Sequence, residues 1–284
     1  MGRGAACKPV ISVPPAVLEA NLASLPHWKD SPHVTLNTAV TAGLIVIGDE
    51  ILSGRTKDKN IGTIAEHLTS IGISLREVRV VADVEEAIVE AVDALRHRYT
   101  YVFTTGGIGP THDDITADAI AKAFGVSIDV DPRAVAIMKP AYEKRGIELN
   151  AARLRMARIP AGAELVVNEV SVAPGFRIGN VIVMAGVPAI MESMLKSATA
   201  SLETGAKVLA ASIMVAHAEG EIAELFAAHQ ASWPQVAMGS YPAFKEGQYA
   251  TDLVLRCTDA AALSSARNTL VEILAQRGFV FELK

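Results

Sequence analysis

The sequence predicts an α/β protein: a three-layer α/β/α domain on a largely parallel sheet, followed by a small α+β unit. Three observations carry this. From residue 41 onward, short apolar runs alternate with amphipathic stretches, the pattern of strands joined by crossover helices. A glycine-rich turn, Gly106-Gly107-Ile108-Gly109, lies between one such run and a helical stretch. After Gly205 the order becomes strand, helix, strand, strand, helix, strand, that of a split βαβ, ferredoxin-like unit.

Residues 1–40 carry Pro9, Pro14, Pro15, Pro26 and Pro32 and no sustained apolar period. They read as a flexible extension or as sequence upstream of the true start, with room for one short helix from Val17 to Leu25. Order begins at Thr41. Leu44-Ile45-Val46-Ile47 is a short buried strand ending at Asp49-Glu50. Ile61, Ile64, Ala65, Leu68 and Ile71 recur at steps of three and four, so Asp58 to Ser70 forms a helix that stops at Gly72. Ile73 to Val81 is a second strand. Asp83-Val84-Glu85-Glu86 has the form of a capping box opening a helix with Ile88, Ala91, Val92 and Leu95 inside. Strand Tyr99 to Thr104 delivers the glycine turn, and helix Ala117 to Phe124 follows it. Arg133 to Arg145 and Ala151 to Arg158 read as helices. Val181 to Met184 is a buried strand, and a helix runs from Ala189 to about Leu202. Residues 41–205 form the main domain and 206–284 the second.

In the second unit the strands are Lys207 to Val215, Gln235 to Ser240, Ala250 to Cys257 and Phe279 to Leu283. The helices are Glu219 to Gln230 and Ala260 to Gln276.

Composition narrows the function. The 284 residues are 50% hydrophobic and 20% charged, with a formal net charge of −5, which argues against a general nucleic-acid field. The two cysteines, Cys7 and Cys257, offer no disulfide framework or zinc cluster. No apolar run approaches the ~18 residues needed to span a bilayer. The N-terminus has no basic region leading into an apolar core, so no secretory signal is read there. A cytoplasmic protein with a small-molecule ligand is expected, with no nucleic acid and no membrane, as a homo-oligomer.

The glycine turn favours an anion, because backbone N–H groups come close to a ligand with little side chain in the way. It runs into Asp113-Asp114, which would repel a phosphate. Two unit charges ~4 Å apart interact by about 4 kcal/mol at an effective dielectric near 20. A divalent cation between them turns that repulsion into binding. Three strand ends carry notable residues: Asp49-Glu50, the Gly106 turn and Gly186-Val187-Pro188. Open α/β sheets bind ligands beyond such ends.

Several residues have two readings. Asp114 either takes part in the site or caps the next helix. Asp118, four residues on, either shares that site or is a solvated first-turn acid. Asp58 either serves the site or caps its helix. His112 is a general acid or base, or an exposed loop side chain. Arg153, Arg155 and Arg158 either clamp a ligand phosphate or form a solvated helix face. Cys257 reads as core.

Residues 41–205 resemble the MoaB/Mog-like molybdopterin-binding domain, in the version found in CinA-type competence/damage-inducible proteins. The same domain type is fused to some FAD synthases. Matching motifs are Gly48-Asp49-Glu50-Ile51-Leu52-Ser53-Gly54, Asp58-Lys59-Asn60 and Gly106 through Thr116, with weaker echoes at Ala173-Pro174-Gly175 and Gly186-Val187-Pro188. The chain departs from the CinA pattern at Met156 (usually Gln), at Ser171-Val172 (usually Gly-Thr) and at Met184-Ala185 (usually Leu-Pro). It lacks the amidohydrolase domain of full-length CinA proteins, so no nicotinamide-nucleotide deamidase activity is expected.

The resemblance implies a metal-dependent pyrophosphatase acting on ADP-ribose or FAD-like dinucleotides. Its alternatives are a non-catalytic molybdopterin-binding protein and a molybdopterin adenylyltransferase of molybdenum cofactor biosynthesis. Gly106, Gly107, Gly109, Thr111 and Pro188 are then expected at the ligand. Asp49, Glu50, Asp113 and Asp114 are expected on Mg2+ (or Mn2+ or Co2+), with Asp49, Asp113 and Asp114 catalytic.

Overall fold

Strand β1 (Val40–Ile47) shows why a central sheet forms. Its side chains alternate between faces: Ala42, Leu44 and Val46 enter one hydrophobic cluster, Ile45 and Ile47 the other. A strand buried on both faces reads as a continuous apolar run, and its neighbours must be parallel strands joined by covering helices. Residues 40–245 and 247–284 are described by the structure, a computed structural model. The expectations for residues 1–39, the helix from Val17 to Leu25 among them, lie outside the described residues.

After β1 come the short helix α1 (Asp49–Leu52), α2 (Asn60–Ser70), β2 (Ile73–Val81), α3 (Glu85–Arg96), β3 (Tyr101–Thr105) and α4 (Thr116–Phe124). Next are β4 (Ile128–Val130), α5 (Pro132–Lys144), α6 (Ala151–Leu154), a 3-10 turn at Arg155–Ala157 and β5 (Arg158–Pro160). The domain closes with β6 (Glu164–Val166), β7 (Gly175–Ile178), β8 (Val181–Met184) and α7 (Pro188–Thr199).

The main sheet has the order β2-β1-β3-β8-β7-β6. β1 is parallel to β2 and β3, and β3 is parallel to β8. β7 and β6 add an antiparallel edge. The expected α/β/α architecture is therefore present, with an edge that the sequence reading did not include. On one face Ile88, Val92, Leu95 and Ile120 pack against β1, β3 and β8. On the other, Ile64, Leu68, Met191 and Leu195 do so. All eight are fully buried, and each contributes about 1.5–3 kcal/mol relative to exposure.

Two local expectations are corrected. The helix read over Ala151 to Arg158 ends at Leu154, because Arg158–Pro160 pairs with Ile128–Val130 in a small antiparallel ladder. The capping box at Asp83 does not form. The N-cap of α3 is Val84, with no side-chain cap bond, since Asp83 bonds elsewhere.

The C-terminal unit runs β9 (Leu209–Val215), α8 (Glu219–Ser232), β10 (Ala237–Lys245), β11 (Gln248–Cys257), α9 (Ala260–Gln276) and β12 (Phe281–Leu283). Its sheet order, β10-β11-β9-β12, is antiparallel throughout, as a split βαβ unit requires. One helix-covered core holds it, with Ile213, Leu253, Leu255, Leu270 and Leu274 fully buried and Cys257 among them.

Candidate functional site

The site lies where β1, β2, β3 and β8 end, the carboxyl edge of the parallel strands. β3 stops at Thr105, and Gly106 turns sharply with φ 113, Gly107 with φ 65. A Cβ on Gly106 would overlap the carbonyl oxygen of Ile47, and one on Gly107 would overlap the Thr116 hydroxyl. Only glycine lets this turn lie flat against its neighbours. Thr116 fixes it from the helix side, donating its hydroxyl to Gly106 O at 3.0 Å and its N–H to Gly107 O at 3.0 Å.

The donors of the turn divide unevenly. The N–H of Gly106 donates to Met184 O at 3.1 Å and continues the sheet. The expectation that Gly106 offers its N–H to a ligand is therefore corrected: its role is steric. No protein acceptor engages the N–H groups of Gly107, Ile108 or Gly109 among the described residues. Thr111 is likewise spent internally, since its N–H and hydroxyl both donate to Asp114 Oδ2, at 2.8 and 2.5 Å.

That pair of bonds removes the capping reading of Asp114. The N-cap of α4 is Ile115, with no side-chain cap bond, so Asp114 closes the Thr111–Asp114 loop rather than capping the helix. Its carboxylate lies beside Gly109, where a Cβ would come within 2.6 Å of Oδ2. Asp58 does serve its helix, accepting the N–H of Ile61 at 2.8 Å. Asp118 is paired with Arg158 through two bonds of 2.6 and 2.7 Å, and the pair lines the cleft beside the turn. His112 is fully exposed, 3.9 Å from Asp113.

An acidic group gathers around a residue that sequence reasoning treated only as a cap. Asp83, just beyond β2, accepts the N–H of Asp49 through Oδ2 at 2.9 Å. Burial, foremost, and the charges of Asp49, Glu50 and Asp113 push its carboxyl above the usual range, against the lowering by the Asp49 N–H. Asp83 thus feels carboxylates that follow β1 and β3. Asp113 itself is held below the usual range, first by polar donors of its own loop, then by the charges of His112 and Arg155. Among the described residues, no three His, Cys, Asp or Glu side chains are gathered closely enough to hold a metal ion unaided.

Asn60, at the start of α2, clips two strand ends together. Its Nδ2 donates to Thr105 Oγ1 at 2.9 Å and to Gly186 O at 2.8 Å, and Thr105 donates onward to Ala185 O. Gly186 then lies against Gly106. Pro188 opens α7 at its first turn, where its missing N–H costs nothing. On the far wall, buried Asn168 accepts from the N–H groups of Val170 and Ser171 and donates to Ala173 O. It holds Val172 at φ 64, a strained conformation for a β-branched residue. Arg155 bridges to the turn, donating to Thr111 O and Asp114 O.

Residues 43–204 match the family model described as the probable molybdopterin binding domain. The chain belongs to this molybdopterin-binding-domain family. Residues 207–282 match the model of the FAD synthase middle domain. A solved structure, the CinA protein of unknown function from Thermoplasma acidophilum, is 36% identical with a TM-score of 0.52. That match covers 56% of this chain and 95% of the Thermoplasma chain. Proteins of Metallosphaera sedula and Pyrobaculum arsenaticum are 37% and 38% identical over 162 and 165 residues, which cover 55% and 57% of this chain. The match takes in about three fifths of the length of these curated relatives, 61% and 62%. The first domain is thus similar to the CinA-like form of the molybdopterin-binding domain, and the unit that follows it in sequence is similar to the FAD synthase middle domain. Among the described residues, no helix is long and apolar enough to cross a membrane.

Proposed function

We propose that this chain is a divalent-metal-dependent nucleotide pyrophosphatase, acting on ADP-ribose or an FAD-like dinucleotide. The observation that carries the reading is the pairing of two features at one sheet edge. The amides of Gly107, Ile108 and Gly109 lack protein acceptors, and at the same sheet edge the charges of Asp49, Glu50 and Asp113 act on the carboxyl of Asp83. The first feature suits a diphosphate and the second a cation.

The donor set fits Mg2+, Mn2+ or Co2+ in one particular way. It consists of hard carboxylate oxygens, without the closed cluster of three or more groups that an all-protein metal cage would need. Mg2+ commonly binds through one or two carboxylates, several waters and substrate phosphate oxygens. Asp49, Glu50 and Asp113 would hold the ion, with Asp114 offering Oδ1 while Oδ2 closes the loop. When bound, the ion would neutralise the diphosphate and lower the pKa of the attacking water. The free amides would hold the diphosphate oxygens, and Asp83 would keep Asp49 oriented. In hydrolysis a water oxygen forms a bond to one phosphorus as the bridging P–O bond breaks, giving two monophosphates, one of them AMP.

The match to the FAD synthase middle domain supports a dinucleotide substrate. The family's description favours a second reading, molybdopterin binding without chemistry or with adenylyl transfer. Incubating the purified protein with ADP-ribose and FAD, each with Mg2+, Mn2+, Co2+ or EDTA, separates the readings. AMP released only with metal supports hydrolysis. No AMP, with pterin fluorescence co-purifying, would turn the assignment to molybdopterin.

A further inference from the structure

Arg153, Arg155 and Arg158, grouped in the sequence, have different partners. Arg158 is neutralised by the two-bond pair with Asp118. Arg153 donates to Glu148 O at 2.7 Å, and its guanidinium lies 5.8 Å from the centre of the Tyr142 ring. Arg155 points at the site. Its Nε donates to Thr111 O at 3.1 Å and its Nη2 to Asp114 O at 3.2 Å. Both acceptors are neutral carbonyls. Among the described residues Arg155 forms no ion pair, and its Nη1 meets no protein acceptor.

Its place is specific. Arg155 lines a narrow cleft together with Gly107, Ile108, Gly109, Asp114 and the mutually neutralised Asp118–Arg158 pair. The three amides of the turn that lack protein acceptors lie in that same wall. A half-buried guanidinium therefore stands at the glycine turn with no carboxylate in ion-pair contact, its charge reaching Asp113 only at longer range. A guanidinium has two usable edges. Here one edge holds two carbonyls of the Thr111–Asp114 loop, and Nη1 lies on the other.

We propose that Arg155 supplies the counter-charge for a phosphate group of the ligand at this turn, while its two carbonyl bonds fix the Thr111–Asp114 loop around that group. The ligand class is a phosphate or diphosphate ester bound through non-bridging oxygens, so the inference rests on the diphosphate reading given above. Arg155 lies on the β5 side of the turn, and Asp49, Glu50 and Asp83 follow β1 and β2. The ligand is thus bound between a cation supplied by the chain and one recruited by its carboxylates.

The test is calorimetric binding of inorganic pyrophosphate in Mg2+ buffer, at two salt concentrations, with Arg155→Gln and Arg155→Lys beside the wild type. Melting temperatures are measured for all three. The Gln variant should lose affinity at least about tenfold, the scale of one charge-assisted hydrogen bond. Its remaining affinity should depend less on salt. The Lys variant keeps the charge and should fall between the two, with the salt dependence of the wild type. Gln binding as the wild type does would overturn the proposal. So would equal losses in Lys and Gln with unchanged salt dependence, since that pattern means loop geometry alone. A wild type that binds no pyrophosphate would sink the diphosphate reading and this inference together. One that binds pyrophosphate, loses it in the Gln variant and yet releases no AMP would sink only the hydrolytic reading.

Discussion

Asp83 Oδ2 accepts the backbone N–H of Asp49 at 2.9 Å, joining the ends of two neighbouring parallel strands. Burial, foremost, and the charges of Asp49, Glu50 and Asp113 raise the proton affinity of Asp83 despite this bond. A folded-state pKa above the unfolded value gives stability that is full below the unfolded value and lost as pH rises through the folded one. At neutral pH the charged Asp83 therefore works against folding.

Asp83→Asn keeps an oxygen for the Asp49 N–H and removes the charge. The variant should melt higher than the wild type at pH 8, and the gap should shrink as pH falls toward 4. Thermal unfolding at both pH values checks this. A gap that is the same at both would remove the electrostatic explanation.

Gly107→Ala should lower stability by about 1–3 kcal/mol and abolish pyrophosphate binding, because φ 65 and the Thr116 hydroxyl both exclude a Cβ. Gly125→Ala is the control. Its φ is 64, with nothing within 4 Å of an added Cβ, so it should cost only about 1 kcal/mol and leave binding intact. Equal effects of the two on binding would mean that the turn holds no ligand.

Asp114→Asn can keep its single carbonyl oxygen where Oδ2 accepts from Thr111, so folding should change little. Metal-dependent AMP release should fall at least ~100-fold, about 2.7 kcal/mol of transition-state stabilisation. Asp114→Ala should lose both loop order and activity. Near-wild-type turnover in the Asn variant would leave Asp114 as a loop closure only.

What the sequence made legible follows the range of the forces involved. β1, β3 and β8 were readable because strands buried on both faces are continuous apolar runs. The split βαβ unit was readable from element order alone. β6 and β7 were not, because strands of three and four residues show no usable period. The glycine turn and its carboxylates were visible as a motif, but the partition of its donors was not. Gly106 spends its N–H on Met184, a partner set by the β3–β8 pairing. Asp83 looked like a cap because Asp-x-x-Glu is a local pattern, whereas its actual partner lies 34 residues away. Asp118 and Arg158, 40 residues apart, were read separately and turn out to be one pair.

The second unit has its own pH response. His229 is buried between α8 and α9, its Nε2 2.9 Å from Ala266 O, and desolvation lowers its pKa despite that bond. Its neutral form is compatible with folding above the usual 6.5, and stability is lost as pH falls from there through the folded pKa. The wild type should therefore lose stability between pH 7.5 and 5 by more than His229→Gln does. Denaturant unfolding at the two pH values measures this, and parallel losses would exclude His229 as the source.

The central claim is that diphosphate and metal share one site, each completing the other. It is tested most directly by titrating Mn2+ into the wild-type protein with and without ADP, followed by electron paramagnetic resonance. With no closed set of three ligating side chains among the described residues, Mn2+ alone should bind weakly. Saturating ADP should tighten it at least about tenfold, a coupling of about 1.4 kcal/mol, and Mn2+ should tighten ADP equally. Mn2+ affinity unchanged by ADP, or strong Mn2+ binding without it, would contradict the account.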